Sequence, residues 1–414
     1  MTAPTKKAAF FMLGMMMIAL SFGESITFSG IKVSWLFAAV IFVLTVFHVI
    51  ISKGSYAKRQ KEVKALAFFA LFWGVYSLLQ GFWAKDTELW NQGIVSTLIN
   101  IFLVTVLGYF ISDERDIDSF LKYSVPLWII NIAFGLYEAI TNEHFVKASS
   151  ESISSAFVRT FFGNPNDSAT WLTLCFLMLS YYLKRKNANK LFSASAWVIT
   201  TFVVIQTDSR ACVFGMLAYA AVYISASIII KSESDTKKGV FKTVFWICAV
   251  LIGVITVLGI YGDLIPYLIL HLSKGSNQTS DLHRLEILQS TLKVIFDSAF
   301  LGVGALQSVS HIGINPHNFF LELFADFGVA VFAFTCYMFY KIVSASFYTG
   351  ENARTRPYYL SYAITFLIIS ISSSSMNRLR LTWVSLVVIF LAACYDQKTN
   401  NGTLHTKQKN KWIK

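Results

Sequence analysis

Apolar stretches about as long as a bilayer is thick recur along most of this chain. A helix needs about 20 predominantly apolar residues to cross the hydrocarbon core of a membrane. Charged residues make up only 14% of the composition, against about 25% in an average soluble domain. The pattern predicts an all-α, polytopic membrane protein, a single integral membrane domain over residues 1–414 with about twelve transmembrane helices, at 8–22, 33–52, 65–84, 94–112, 120–140, 168–183, 191–205, 211–230, 243–261, 318–340, 358–376 and 381–395.

The positive charges gather in alternate loops. A formal net charge of +12 would suit a nucleic-acid partner. However, 25 of the 35 Lys and Arg residues fall in segments that a twelve-span chain with both ends inside would place in the cytoplasm. This alternation follows the positive-inside rule. It predicts a multi-pass protein of a cytoplasmic membrane, with a basic cytoplasmic tail at 396–414 and no nucleic-acid partner.

Two of the predicted outer loops are long enough to contribute residues to a functional site. The first, residues 141–167, has a Ser-rich middle and ends in the turn sequence Asn-Pro-Asn. The second, residues 262–317, contains a Gly/Ser/Asn linker followed by the amphipathic segment 281–296. This segment is too short and too charged to cross a membrane, so we expect a helix that lies along the surface. The apolar residues on its predicted membrane face are Leu285, Leu288, Leu292 and Ile295.

Arginine is favoured over lysine on the predicted outer side. Half of the arginines lie there, against a fifth of the lysines. The planar guanidinium can make paired hydrogen bonds to a phosphate, whereas an ammonium is a point charge. The alternative is that these side chains only anchor helix ends at the membrane interface. For Arg378 and Arg380, which precede the last span, both interpretations have equal weight; the other outer arginines are Arg159, Arg210 and Arg284.

Three of these arginines stand in sequence patterns that point to a polar site. Arg159 precedes the turn Asn164-Pro165-Asn166, which is either a capped turn or part of a binding site. Arg210 ends the tight turn Q-T-D-S-R, where a salt bridge to Asp208 is the structural alternative. Arg284 begins an R-x3-L pattern on the amphipathic segment.

A histidine stands at the outer end of the tenth predicted span. His317 follows Asn315-Pro316, and His317-Asn318 is separated from Gly328 by nine residues. Proline disfavours helix for the residue before it, so we expect the helix to begin at or after Pro316, with His317 in its first turn. Zinc is a weaker alternative, because the other histidines of the same loop match no compact ligand spacing; these are His271, His283 and His311.

Taken in order over residues 159–328, these patterns resemble the O-antigen ligase and polymerase superfamily of bacterial membrane glycosyltransferases. The resemblance rests on the Asn-Pro-Asn turn, the Ser-Arg turn, R-x3-L and H-N-x9-G. One residue departs from the ligase pattern, since Val331 stands where ligases more often have Gly, Thr or Tyr. The resemblance implies a GT-C-like helical fold and a substrate glycan carried on undecaprenyl diphosphate.

The resemblance also implies roles for individual residues. The expected catalytic residues are His317, as the base toward the acceptor hydroxyl, and Arg284 and Arg210, as donors to the diphosphate. The expected substrate-binding residues are Arg159, Asn164, Asn166 and Asn318. Neither a metal ion nor another cofactor is expected in such an enzyme.

Three functions follow from these expectations. The first is a polymerase of O-antigen or capsular polysaccharide that joins lipid-linked repeat units by inverting transfer in the periplasm. The second is an O-antigen ligase that transfers the lipid-linked glycan to the lipid A core. The third is a flippase or other transporter, which would need charged residues within its spans; Glu138 is the main candidate. The expected partners are the lipid-linked donor and acceptor, membrane lipids, and a chain-length regulator or flippase.

Overall fold

A computed structural model describes most of the chain, and the described residues are almost entirely helical. It covers residues 3–22, 27–28, 31–51, 61–146, 157–162, 164–232, 276–347, 355–372 and 376–411. The ninth predicted span, 243–261, lies outside the described residues, as do parts of both long outer loops. The predicted class, a polytopic helical membrane protein, is confirmed.

The regular elements of the described residues are fourteen α-helices, one 3₁₀ helix (Gln80–Phe82) and one pair of two-residue strands. The helices are α1 (Ala3–Ser21), α2 (Val33–Ile51), α3 (Lys61–Leu79), α4 (Thr87–Phe110), α5 (Glu114–Leu121), α6 (Ser124–Thr141), α7 (Pro165–Arg185), α8 (Lys190–Ile205), α9 (Arg210–Ser232), α10 (Ser276–Asp297), α11 (Gln307–Ile312), α12 (Phe319–Ala345), α13 (Arg356–Ser372) and α14 (Arg380–Lys411). The strands β1 (Thr27–Phe28) and β2 (Ile31–Lys32) pair antiparallel.

Six helical segments in the described part of the chain are long and apolar enough to cross a membrane. They are Lys61–Phe82, Thr87–Phe110, Glu114–Thr141, Arg210–Ile228, Phe319–Ala345 and Arg380–Gln397. Two shorter apolar helices are Leu36–Val46 and Lys190–Ile205. The count of twelve spans therefore stays a prediction. The backbone of α14 continues helical to Lys411, well past the predicted end of the last span at residue 395.

Helices α7 and α14 lie at the centre of the bundle. In the apolar part of α14, 89% of the residues are buried. The Trp383 ring of α14 lies 4.6 Å from the Trp73 ring of α3, and the Trp73 ring lies 5.4 Å from Phe327 of α12. Aromatic pairs at these centroid distances bury a large apolar area. They hold together α3, α12 and α14.

Segments that the sequence assigns to one side of the membrane contact one another. The Lys6 ammonium of α1 pairs with the Asp116 carboxylate of α5. The guanidinium of Arg185, at the end of α7, pairs with Asp118 and lies 3.4 Å from the Asp396 carboxylate of α14. All five residues belong to segments predicted to be cytoplasmic.

Segments predicted to lie outside form a second set of contacts. The indole N–H of Trp83, just after α3, donates to the Gly302 carbonyl at 3.1 Å. The Gln307 amide accepts from the backbone N–H of Asp86 and donates to its carbonyl, both at 2.8 Å. Because α3 and α4 run between the two sets of contacts, the arrangement agrees with the predicted alternation of loops.

The amphipathic helix begins earlier than predicted and uses a different face against the protein. Helix α10 starts at Ser276 and includes residues interpreted from sequence as linker. Ile287 and Ile295 are buried, and Ile295 packs on Ala325 of α12. Ile295 was therefore wrongly placed on the membrane face. Leu288 and Leu292 are exposed, as a helix lying on a membrane requires, and the side chain of Leu285 is outside the described part.

Candidate active site

His317 lies immediately before the N-terminus of α12. The N-cap of α12 is Asn318, whose side-chain oxygen accepts from the Leu321 N–H at 3.1 Å. His317 precedes the cap and has a left-handed backbone with φ 54°. The prediction of His317 in the first helical turn is thus wrong by two residues. Asparagine is among the best N-cap residues and histidine is not, so the helix begins after Asn318.

The loop that carries His317 is held by an arginine from the other end of the chain. The Nη2 of Arg378 donates to the Asn315 side-chain oxygen at 3.0 Å. Next to it, Asn377 is buried, and its carbonyl accepts from Asn100 at 2.9 Å and from the Trp383 indole at 3.2 Å. Arg378 therefore lies in a fixed turn. Its hydrogen bond holds Asn315, which is two residues before His317.

Arg380 has a different role from Arg378. Its Nη1 donates to the Ser96 carbonyl at 3.0 Å, to the Ser96 hydroxyl at 2.8 Å and to Asn100 at 3.1 Å. These contacts join α14 to α4. The interpretation as an anchor fits Arg380, whereas Arg378 belongs with the His317 loop.

Two buried carboxylates follow His317 on α12, and sequence reasoning missed both. The oxygens of Asp326 accept from Leu306 N–H at 3.2 Å and Ser308 N–H at 2.9 Å, so this carboxylate fixes the loop before α11. Glu322 is 1% exposed, and its Oε1 has no hydrogen-bond partner in the described part of the chain. The available signal was their spacing of four residues within an apolar span, since acidic residues there are functional candidates.

Gly328, the last residue of H-N-x9-G, lies at a kink in α12. The loop 300–304 packs against this kink. Its backbone has φ 73° and ψ −174° inside the helix. The freed Val329 N–H donates to the Phe300 carbonyl at 2.9 Å, and the Gly304 N–H donates to the Asp326 carbonyl at 2.8 Å. A Cβ on Gly328 would lie 2.4 Å from the Leu301 oxygen. The motif glycine thus allows a loop backbone, rather than another helix, to approach.

We expect Gly328→Ala to lower the melting temperature of the purified protein by several degrees. The added methyl group clashes with the loop, and alanine does not readily adopt this backbone conformation. The clash and the backbone strain each cost about 1–3 kcal/mol. Gly313→Ala is the matched control, because Gly313 also has positive φ, 85°, but nothing within 4 Å of its added Cβ. Equal melting temperatures for the two variants would show that the docked loop does not constrain Gly328.

Glu138 organises the outer loop that contains Arg159. Its Oε2 accepts from the backbone N–H groups of Arg159 and Thr160 at 2.7 and 2.8 Å, and its Oε1 accepts from Phe145 at 3.2 Å. The carboxylate is buried. The structure therefore uses Glu138, the residue on which the transport alternative depends, to fold a loop.

Arg159 lies buried between this loop and the turn that precedes α9. The Val158 N–H donates to the Gln206 carbonyl at 3.0 Å, which joins the two segments. Arg159 is 5% exposed, and its Nε has no hydrogen-bond partner in the described part of the chain. A buried guanidinium without a counter-ion is costly, so this side chain is suited to an anionic ligand.

Arg210 is the first residue of α9, four residues beyond Gln206. Its side chain is exposed, and it forms no ion pair with Asp208, whose backbone is left-handed with φ 57°. The predicted structural alternative, a salt bridge within the turn, is thus absent among the described residues. The backbone of Arg284 lies in α10, while its side chain falls outside the described part.

The Asn-Pro-Asn turn is a helix cap. Asn164 is the N-cap of α7, and its side-chain oxygen accepts from the Asn166 N–H at 2.9 Å, with Pro165 in the first helical turn. Loop 141–167 therefore ends three residues earlier than predicted, because Asn164 caps the helix. Asp167 lies in the same first turn of α7.

The site residues whose side chains are described lie in two groups. The first, at the start of α12, contains His317, Asn318, Arg378 and Glu322; the second, around the start of α7 and the turn before α9, contains Arg159, Asn164, Asn166 and Arg210. Within the described residues no three His, Cys, Asp or Glu side chains cluster as metal ligands would. The fold defines a multi-pass helical membrane protein, and these two groups form its candidate site.

Comparison with known proteins agrees with this class. Residues 194–336 match the family model described as O-antigen ligase, a range that contains Arg210, Arg284 and His317. The chain is 24% identical to the teichuronic acid biosynthesis protein TuaE of Bacillus subtilis (strain 168) over 369 residues, which cover 80% of this chain and 72% of the relative. The resemblance to the O-antigen ligase and polymerase superfamily is confirmed, and it supports a glycosyltransferase-type enzyme acting on lipid-linked glycans.

We expect Arg378→Lys to reduce turnover by about tenfold. This factor corresponds to the free energy of one hydrogen bond to a charged group. Lysine cannot reproduce the Nη2 contact that holds Asn315. Asn315→Ala should cause a similar loss, and the double variant should be no worse than either single variant, because both remove one interaction. The measurement is the turnover number of purified protein with lipid-linked substrate. Additive losses would mean that Arg378 acts independently of the His317 loop.

Proposed function

We propose that this protein is a polymerase that joins glycan repeat units carried on undecaprenyl diphosphate. The supporting observation is the pair Arg159 and Arg210, on two segments joined by a backbone hydrogen bond. Neither guanidinium has an ion-pair partner among the described residues. Two unpaired guanidinium groups suit a diphosphate, which offers several oxygens for charge-assisted hydrogen bonds.

The proposed reaction is a single displacement. An acceptor hydroxyl oxygen attacks the anomeric carbon of the donor sugar, and the bond from that carbon to the diphosphate breaks. The electron pair leaves with the diphosphate, where Arg159, Arg210 and Arg284 stabilise the added charge. The hydroxyl proton passes to His317. Attack opposite the leaving group inverts the anomeric centre, and fixed guanidinium groups replace a divalent metal ion in this scheme.

The remaining predicted residues orient the substrate. Asn318 uses its side-chain oxygen as a cap, and the cap keeps the His317 loop at the helix start. Asn164 has the same capping role on α7, next to Arg159. Asn166 is half-buried in the first turn of α7 and, in this proposal, contacts the glycan. Asn318 and Asn164 therefore contribute to substrate binding indirectly, because they fix the loops that carry His317 and Arg159.

A ligase is the second candidate, favoured by the description of the matching family model. The polymerase is favoured by the Asn-Pro-Asn turn and by Val331. A role in polysaccharide biosynthesis is common to both. In both cases the protein would work with the flippase that presents the donor, and a polymerase also with a chain-length regulator.

The glycan profile of a deletion strain distinguishes the two candidates. If the protein is a polymerase, the deletion leaves surface lipid A core that carries a single repeat unit. If it is a ligase, the core carries none, and finished polymer accumulates on undecaprenyl diphosphate. An unchanged surface glycan with normal polymer would contradict both candidates.

We propose that the protein lies in the inner membrane with the site facing the periplasm. Reporter domains fused after Asn187 and after Gly313 test this topology. The first fusion should be active only as a cytoplasmic reporter, because Asn187 follows the basic end of α7. The second should be active only as a periplasmic reporter. The reverse result would place the arginines and His317 on the wrong side for a substrate in the outer leaflet.

A further inference from the structure

A pocket of about 340 Å³ lies beside the turn between α3 and α4. It is open to the surface and is lined by Trp83 of that turn, by the end of α10, by the 298–303 loop and by His311 of α11. Its apolar walls include Val294, Leu301 and Val303. This volume is at the lower end of the range for small-molecule sites, about 300–1,000 Å³. The pocket is separate from the residues assigned above to the diphosphate and to the acceptor proton.

The Trp83 ring forms one flat wall in a fixed orientation. Its indole N–H donates to the Gly302 carbonyl at 3.1 Å, while 47% of the side chain stays exposed. Gly302 has φ 80°, and a Cβ there would lie 2.4 Å from the Gly328 nitrogen. The wall is therefore positioned by the same docked loop that fixes the kink in α12. An aromatic ring presented in this way offers an apolar face to a ligand.

The polar side chains of the pocket are a carboxylate, an imidazole and the Ser298 hydroxyl, which is already bonded to the Ile295 carbonyl and the Gly302 N–H. Asp297 and His311 both line it and are both exposed. Burial and the Lys85 ammonium lower the pKa of His311, against the opposing effect of Asp297. The imidazole is therefore mainly neutral at neutral pH and can both donate and accept hydrogen bonds. Lys85 is itself bonded to the Ser310 carbonyl at 3.4 Å.

This combination selects a ligand class. A carboxylate accepts hydrogen bonds from hydroxyl groups and repels phosphate, so the pocket differs in chemistry from the cationic site. A pyranose ring has an apolar C–H face that can lie on an indole and hydroxyl groups that can reach Asp297 and His311. We propose that the pocket is a subsite for a sugar ring of the glycan substrate, an assignment that rests on the proposed function.

The position of the subsite indicates which part of the glycan it holds. Asp297 is thirteen residues beyond Arg284 on the same helix, α10, a distance of about 20 Å along the axis. A sugar in the pocket therefore lies about that far along α10 from the arginine assigned to the diphosphate. Contacts to non-reacting parts of a substrate supply binding energy that can be used at the reacting centre. The pocket would thus favour glycans long enough to extend along α10.

Binding of free glycan to the full-length protein in nanodiscs tests the subsite. The probe is the repeat-unit oligosaccharide released by mild acid from the cell's own lipid-linked intermediates, and its dissociation constant is measured by calorimetry. Trp83→Ala and Asp297→Asn should each weaken binding by about tenfold, as expected for the loss of one good contact. Phe82→Ala is the control, because Phe82 is an adjacent, 88% exposed aromatic residue that does not line the pocket.

The assay separates failure of the subsite from failure of the proposed function. Binding does not require glycosyl transfer, so a wild-type protein that joins no repeat units but binds the probe through Trp83 would retain the subsite and lose the polymerase. Unchanged binding in Trp83→Ala would overturn the subsite. An equal loss in Phe82→Ala would also overturn it, since both rings would then act as an aromatic band toward lipid.

Discussion

Replacing His317 with alanine is expected to slow glycosyl transfer by about 10²–10⁴-fold, the contribution of a positioned general base. The expectation depends on the place of His317 between the Asn318 cap and the Asn315 contact to Arg378. Single-turnover rates with lipid-linked donor and acceptor measure the chemical step. Donor binding should change little, because the arginines carry the diphosphate.

A second variant separates base catalysis from positioning. His317→Gln keeps hydrogen-bonding capacity but cannot take up a proton near neutral pH. If an imidazole is the base, the wild-type rate should fall at acidic pH as the imidazole takes up a proton, and this acid limb should disappear in the residual rate of His317→Gln. A substantially active variant with an unchanged acid limb would mean that His317 only orients the acceptor. The proton would then leave through another group, for which Glu322, five residues along the chain, and Asp167 are candidates.

The helices of this fold are predictable because apolar length is a strong signal, while their ends and partners are not. The span predicted at 94–112 is α4, Thr87–Phe110, which starts early because the Asp86 side chain caps it. On α10, periodicity identifies an apolar face but not what covers it. Ile295 lies against Ala325 of α12, a contact between residues distant in sequence that no local pattern encodes.

Members of the candidate site can be proposed from sequence where a local motif carries them, and are missed where they depend on distant pairs. His317 and Arg210 stand in short patterns, whereas Arg378 joins the site through Asn315, 63 residues away. Glu322 was missed for another reason. The apolar residues on both sides led to its assignment as part of a transmembrane span, although a carboxylate inside such a span requires an explanation.

Arg210→Lys and Arg284→Lys are each expected to lower activity by about 10²-fold, although both substitutions keep the charge. Loss of one preorganised donor to a developing anion has this size, and lysine cannot form the paired contacts of a guanidinium. Arg210 is exposed at the start of α9, without an ion-pair partner among the described residues, so its replacement should leave the fold intact. Melting temperature and donor binding are measured together with turnover.

Arg115→Lys is the matched control, because Arg115 is exposed on α5 among the segments of the opposite side. Arg378 does not serve as a control, since it holds Asn315, and neither does Arg380, which joins α14 to α4. The Lys variants at 210 and 284 should lose affinity for the undecaprenyl-diphosphate donor but not for free repeat-unit oligosaccharide. Equal activity in all three variants would mean that the outer arginines are interfacial anchors. Loss of affinity for both ligands would indicate a general disturbance of the site, because a guanidinium that contacts only the diphosphate has no direct effect on the sugars.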